Sequence, residues 1–113
     1  MSLDERMVVA REERLSLRDL RHWVREGWIR PATGERGPVF DEVDFARVRL
    51  VCDLRKDMAL PSDALPVVLN LIDRLHQTRR DLACLAAAVD GQPDHVRAAI
   101  LSAFRARMEG EAD

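Results

Sequence analysis

The chain has 113 residues, of which 47% are hydrophobic and 34% charged; this is enough apolar side chain for one small core and leaves little room for a two-domain enzyme. Its 18 basic and 20 acidic residues give a net charge of -2, so bulk basicity offers no reason to bind nucleic acid, which is an improbable partner on charge alone. No apolar run approaches the roughly 20 residues that cross a bilayer, and residues 1–10 lack a signal peptide's apolar stretch; a protein of the cytoplasm with no membrane partner is expected.

Helical periodicity runs through nearly the whole sequence. Asp4 to Glu13 reads as a short helix with weak caps, carrying Met7, Val8 and Ala10. Ser16 opens a second helix: its hydroxyl can take a backbone N–H, and Asp19 stands at the reciprocal position of a capping box. This helix ends at Gly27 and has an apolar face of Leu17, Leu20, Trp23 and Val24. Pro31 to Gly37 breaks the pattern, and Pro38-Val39-Phe40 is short and extended, as in a small hairpin or wing. Asp41 caps a third helix from Glu42 to about Lys56, with Val43, Ala46, Val48, Leu50, Val51 and Leu54 expected inside. Met58 to Pro61 is a connector. A fourth helix opening near Ser62 meets Pro66 a turn later, which requires a late start or a kink.

From Leu65 the apolar positions step by threes and fours through Val68, Ile72, Leu75, Leu82, Ala86 and Val89, with only Arg79 breaking the seam. A helix from Ser62 to Val89 would be about 42 Å long, and two partners can cover such a heptad: the C-terminal segment folding back, or a second copy in a homodimer. Asp90-Gly91-Gln92-Pro93 is a stop and restart. Val96, Ala99, Ile100, Ala103 and Phe104 then mark a last amphipathic helix to about Met108, with a frayed tail from Glu109 to Asp113. The expected architecture is all-α, with a head over residues 1–60 and a helical extension over 61–113.

Catalytic signatures are missing: His22, His76 and His95 are scattered, and there is no phosphate loop, HExxH or GxSxG, so no enzyme activity and no cofactor are expected. Cys52 and Cys84 stand 32 residues apart without a CxxC, against a zinc finger or disulfide framework, and both are expected to be reduced and buried.

The stretch Leu20-Arg21-His22-Trp23-Val24-Arg25-Glu26-Gly27-Trp28-Ile29-Arg30-Pro31, followed by Phe40-Asp41 and Phe45 to Arg55, resembles the MerR-like winged helix-turn-helix head. That resemblance implies a DNA reader, gripping phosphates through Arg18, Arg21 and Arg25. Two departures weigh against it. The family's two tyrosines after the arginine are His22 and Trp23 here, and its wing arginine is Val39 before Phe40, so backbone-gripping groups are lost. Residues 1–56 carry 12 basic and 11 acidic side chains, net +1.

With Leu54-Arg55-Lys56-Asp57-Met58-Ala59-Leu60 and Val67 to Leu75 added, the run from about Leu15 to Leu85 is similar to the chaperone modulator CbpM family. That resemblance implies a non-catalytic MerR-like fold that binds the J-domain of a DnaJ-like co-chaperone, CbpA, and inhibits both its stimulation of DnaK and its nucleoid association. On the residues themselves, Trp28 is a candidate partner anchor, and Glu26, Asp41, Glu42 and Asp44 could meet a basic J-domain helix. Trp28 can equally be core packing, and the acids after Phe40 can equally be a helix cap and dipole match. A third reading places Cys84 and His76 in a metal-sensing site, although no metal is expected from two cysteines so far apart.

Overall fold

The computed structural model describes residues 2–112. It is mostly helical with one two-stranded antiparallel sheet. The order is α1 (Glu5–Arg11), α2 (Leu17–Arg25), β1 (Ala32–Gly34), β2 (Gly37–Val39), α3 (Glu42–Cys52), a π-helical turn (Asp53–Asp57), α4 (Leu65–Asp90) and α5 (Asp94–Ala112). The minimal wing and the long following helices are as the sequence predicts. Two compact units divide the chain, Met1–Leu71 and Ile72–Asp113.

In the first unit, α1 is shorter and better capped than its sequence indicates. The Asp4 carboxylate accepts from the Met7 N–H at 2.9 Å, and the helix stops at Arg11 because Glu12 turns extended and is buried. Only Val8 of this helix is buried, while Met7 is half exposed. Ser16 caps α2 as expected, accepting from the Asp19 N–H at 3.0 Å, and Leu20 and Trp23 fill its inner face. Gly27 ends the helix at φ +80, and the Trp28 N–H reaches back to the Trp23 carbonyl at 3.0 Å. The left-handed backbone here suits glycine, which has no Cβ to clash.

The wing pairs Ala32 with Val39, Thr33 with Pro38 and Gly34 with Gly37. A Cβ on Gly34 would meet Val39 Cγ2 at 2.6 Å, so close approach requires glycine there. Beyond the wing, Leu3 and Phe40 exchange two backbone hydrogen bonds of 2.8 Å. This latch seats two fully interior side chains and extends the pairing to the N-terminal segment, which the period of the sequence does not reveal.

Helix α3 begins with a full capping box: Asp41 accepts from Asp44 N–H at 2.7 Å and Asp44 from Asp41 N–H at 3.0 Å. Its inner face is Val48, Val51 and Cys52, and Leu54 in the turn that follows is buried as expected, but three of the other expected positions lie outside the core. Val43 is 77% exposed, Ala46 is exposed and Leu50 half-buried. The reason is geometric. At about 100° per residue Val43, Ala46 and Leu50 share the face opposite Val48, Val51 and Cys52, so the helix is apolar on two sides and only one is covered.

The expected continuation to Lys56 is a π turn, closed by Met58 N–H to the Asp53 carbonyl at 2.9 Å. Ala59 follows at φ +54, and the Leu60 N–H returns to the Leu54 carbonyl at 2.9 Å. The late start of the next helix holds: α4 opens at Leu65, so Pro66 lies in the first turn, where no N–H is required. Leu65 and Leu69, one turn apart, are buried in the core, which carries the first unit into α4. Val68, the expected seam position, is only half-buried.

In the second unit, α4 runs on from Ile72 to Asp90, and Gly91 and Gln92 close its end on the carbonyls of Ala87 and Val89. Helix α5 continues to Ala112 rather than fraying after Met108, Asp113 of the expected frayed tail lying outside the described residues, and Asp94 and Arg97 pair at 2.7 Å in its first turn. Ile100, Leu101 and Phe104 face Leu82, Leu85, Ala86 and Val89 across an apolar groove of about 210 Å³. Folding back does not cover the seam: Leu75 is 49% and Leu82 61% exposed, Ala86 is exposed, and Ile72 and Val89 are half-buried.

Candidate functional site

The head presents α2, the wing and α3 on a frame fixed by ion pairs between its own residues. Arg14 is the hub. Its guanidinium donates to Glu12 at 2.9 Å, Asp53 at 2.6 Å and Asp57 at 2.7 Å, tying the α1–α2 loop to the π turn. Asp53 and Asp57 stand four residues apart, so both carboxylates leave the turn on one side. The bond from Arg14 holds the Glu12 carboxyl below the ordinary carboxylate value despite its burial. Lys56, the single lysine, takes the Asp19 carboxylate at 2.7 Å.

The three α2 arginines differ. Arg21 is closed on Glu5 of α1 through two hydrogen bonds of 3.0 and 3.3 Å, a bidentate fork that holds the guanidinium charged and occupied. Arg18 and Arg25 are exposed. The replacements for the expected tyrosines take other roles. Trp23 is buried at 3% exposure, while His22 stays outside with its ring edge-on to Trp28, centroids 5.8 Å apart. Val39 of the wing packs beside Gly34, and Phe40 is wholly interior.

Trp28 is not an exposed anchor. Its ring is 6% exposed, and its carbonyl accepts from Arg47 Nε at 3.0 Å, so its packing role prevails. Glu26, at the end of α2, lies 4.0 Å from His22 Nδ1 and remains half exposed. Glu42 is also well exposed, with Arg11 at 3.8 Å. Asp41 and Asp44 are engaged in the capping box. The backbone bond from Asp44 lowers the Asp41 carboxyl, while partial burial raises that of Asp44. Thus Glu26 and Glu42 have the freest carboxylates of the four expected partner contacts, and exposed Val43 adjoins Glu42 on the outer stripe of α3.

Cys52 is buried, which pushes its thiol up to about 11, but Cys84 is exposed rather than buried. Among the described residues no three His, Cys, Asp or Glu side chains gather to hold a metal ion, and His76 and Cys84 belong to no such group. No helix among the described residues is long and apolar enough to cross a membrane.

The sequence profile of the MerR HTH family regulatory proteins matches residues 8–72, more than half of the chain. The chain belongs to that family. No curated protein and no solved structure gives a match. The MerR match begins at Val8, the buried residue of α1, and ends at Ile72, one residue past the first compact unit. Sequence reasoning missed the Arg14 hub, whose members lie up to 43 residues apart, and the Leu3–Phe40 latch. It also merged the two apolar faces of α3, although the spacing of Val43, Ala46 and Leu50 was there to separate them.

Proposed function

We propose that this MerR-family head docks a protein rather than a duplex, as a chaperone modulator of the CbpM type occupying the J-domain of a DnaJ-like co-chaperone. The observation that carries this reading is the Arg21–Glu5 fork: a guanidinium at a position suited to phosphate is already satisfied by a carboxylate of its own chain. A phosphate would have to displace that carboxylate, and neither a tyrosine hydroxyl after Arg21 nor an arginine directly before Phe40, where Val39 stands, is present to help. The exposed acids Glu26 and Glu42, with Val43 beside the latter, offer a basic amphipathic helix both charge and apolar contact. Inhibition then follows from masking the J-domain surface and needs no bond making.

Calorimetric titration of a J-domain into the protein tests the proposal, with binding at tens of micromolar or tighter expected and no heat at that concentration refuting it. A second reading, a DNA-binding regulator, is favoured by exposed Arg18 and Arg25. Anisotropy of labelled duplex at low and moderate salt separates the two, because binding carried by phosphate contacts falls steeply with salt.

A further inference from the structure

We infer that the π turn after α3 is a two-register element and that Arg14 is the positioning residue that holds it in the wider register. The place of α2 and of the loop before it is thereby passed to the connector that leads into α4. The whole device lies within Met1–Leu71. In an uninterrupted α-helix the Leu54 carbonyl would accept from the Met58 N–H. Here the Met58 N–H closes on the Asp53 carbonyl at 2.9 Å, which leaves the Leu54 carbonyl to the Leu60 N–H, also at 2.9 Å. That second bond needs the chain to double back, and Ala59 does so at φ +54, a backbone that costs an L-residue strain. One residue of register thus decides both which N–H holds Leu54 and whether Ala59 is left-handed. The change is stepwise rather than gradual, since it moves the turn by a whole residue.

Side chains select the register. Asp53, Arg55, Lys56 and Asp57, the charged residues of the turn, are each held by a group outside it. Arg14 of the α1–α2 loop donates to Asp53 at 2.6 Å and to Asp57 at 2.7 Å, Lys56 donates to Asp19 of α2 at 2.7 Å, and Arg55 donates to the Leu60 carbonyl. In α-helical geometry four residues carry Asp57 about 40° beyond Asp53, whereas a turn closed from i to i+5 takes more than four residues and leaves it short of a full circle. A move to the α register therefore swings Asp57 away from Arg14 and Lys56 away from Asp19, and returns Ala59 to the right-handed region. Asp53, which continues α3, keeps its place in either. The contacts from Arg14 and Asp19 span 39, 43 and 37 residues of sequence, so the register follows the packing of α2 and its loop rather than local propensity.

Nuclear magnetic resonance of the whole chain reads two signals: an intraresidue amide–Hα cross-peak at Ala59, strong only at positive φ, and hydrogen exchange at the Leu60 amide. The native protein should show the strong cross-peak and slow exchange. Arg14→Gln should weaken the cross-peak and speed Leu60 exchange on the order of tenfold, while the Val48 and Val51 amides of α3 stay protected. Asp19→Ala, at the α2 end of the network, should move both signals the same way by a smaller factor. Adding Ala59→Gly to Arg14→Gln should restore slow Leu60 exchange, because glycine takes the left-handed backbone without strain. An ion pair that merely stabilised the head would not be replaced in this way. Should the emission of Trp23 and Trp28, both in the core, show that Arg14→Gln unfolds the head, Asp57→Ala removes one leg of the bridge and is measured in its place. Unchanged Ala59 and Leu60 signals in the bridge variant, or exchange quickened equally throughout α3, overturn the inference. A Leu60 amide that Ala59→Gly fails to slow overturns the register change, and indifference to Asp19→Ala removes α2 from the device.

Discussion

Two helical segments of the head end on a left-handed residue, and the chain uses glycine at one and alanine at the other. Gly27 sits at φ +80 and Ala59 at φ +54. A left-handed backbone costs an L-residue about 1–2 kcal/mol, while replacing glycine by alanine recovers about 0.4–1 kcal/mol through the unfolded chain. No atom lies within 4 Å of a Cβ built on Gly27, so strain decides the sign: Gly27→Ala should destabilise by roughly 0.5–1 kcal/mol. Ala59 is exposed, so Ala59→Gly removes no packing and should stabilise by a similar amount, roughly 0.5–1 kcal/mol. For a unit of this size each kcal/mol moves the melting temperature by about 4–8 °C. Thermal unfolding followed by tryptophan emission reads this directly, since Trp23 and Trp28 are both in the core. Shifts of the same sign in the two variants would refute the reasoning, because both sites share the left-handed backbone and the two substitutions exchange glycine and alanine in opposite directions.

Four further outcomes follow from the chemistry of the head and, for Cys84, of α4. Phe40→Ala should cost about 3–5 kcal/mol in denaturant unfolding, since a fully buried ring is lost from the core while the backbone latch to Leu3 is still available. Glu12 is held by Arg14 below its ordinary value of 4.5, so its contribution to stability is present above that pH and disappears as pH falls through the lowered folded-state value. Arg14→Leu should lower the melting temperature at neutral pH and flatten its fall in acid; an equally steep acid limb would contradict the hub. Cys84 should react with a thiol reagent in the native protein and Cys52 only after unfolding, giving one thiol and then two per chain. Val43→Asp should leave stability within about 0.5 kcal/mol and yet weaken J-domain binding; unchanged calorimetric affinity would remove the outer stripe of α3 from the proposed surface.

Local chemistry is what the sequence reveals well. Ser16, Gly27, Asp41 and the late start imposed by Pro66 each act through neighbours a few residues away, and all four can be read without a fold. The wing's position and the heptad are legible for the same reason. Long-range chemistry is not. Glu12 and Arg14 meet Asp53 and Asp57 only because the core brings the α1–α2 loop beside the π turn. No periodicity marks Leu3 as the partner of Phe40, and the π turn has no signature that separates it from ordinary helix. Trp28 shows the limit most clearly. A large aromatic after a helix-ending glycine can anchor a partner or fill a core, and only its 6% exposure decides between them. Arg21 is legible in the sequence as a cation on α2, but its pairing with Glu5, sixteen residues earlier, depends on how α1 packs against α2.

The central claim is that a MerR head whose α2 arginine is satisfied by its own glutamate serves protein docking. It is tested most directly by titrating one preparation in parallel against a J-domain and a random duplex at low and moderate salt. Saturable J-domain binding with negligible duplex binding is the expected result. Tight duplex association that collapses as salt rises, with no J-domain signal, would contradict it.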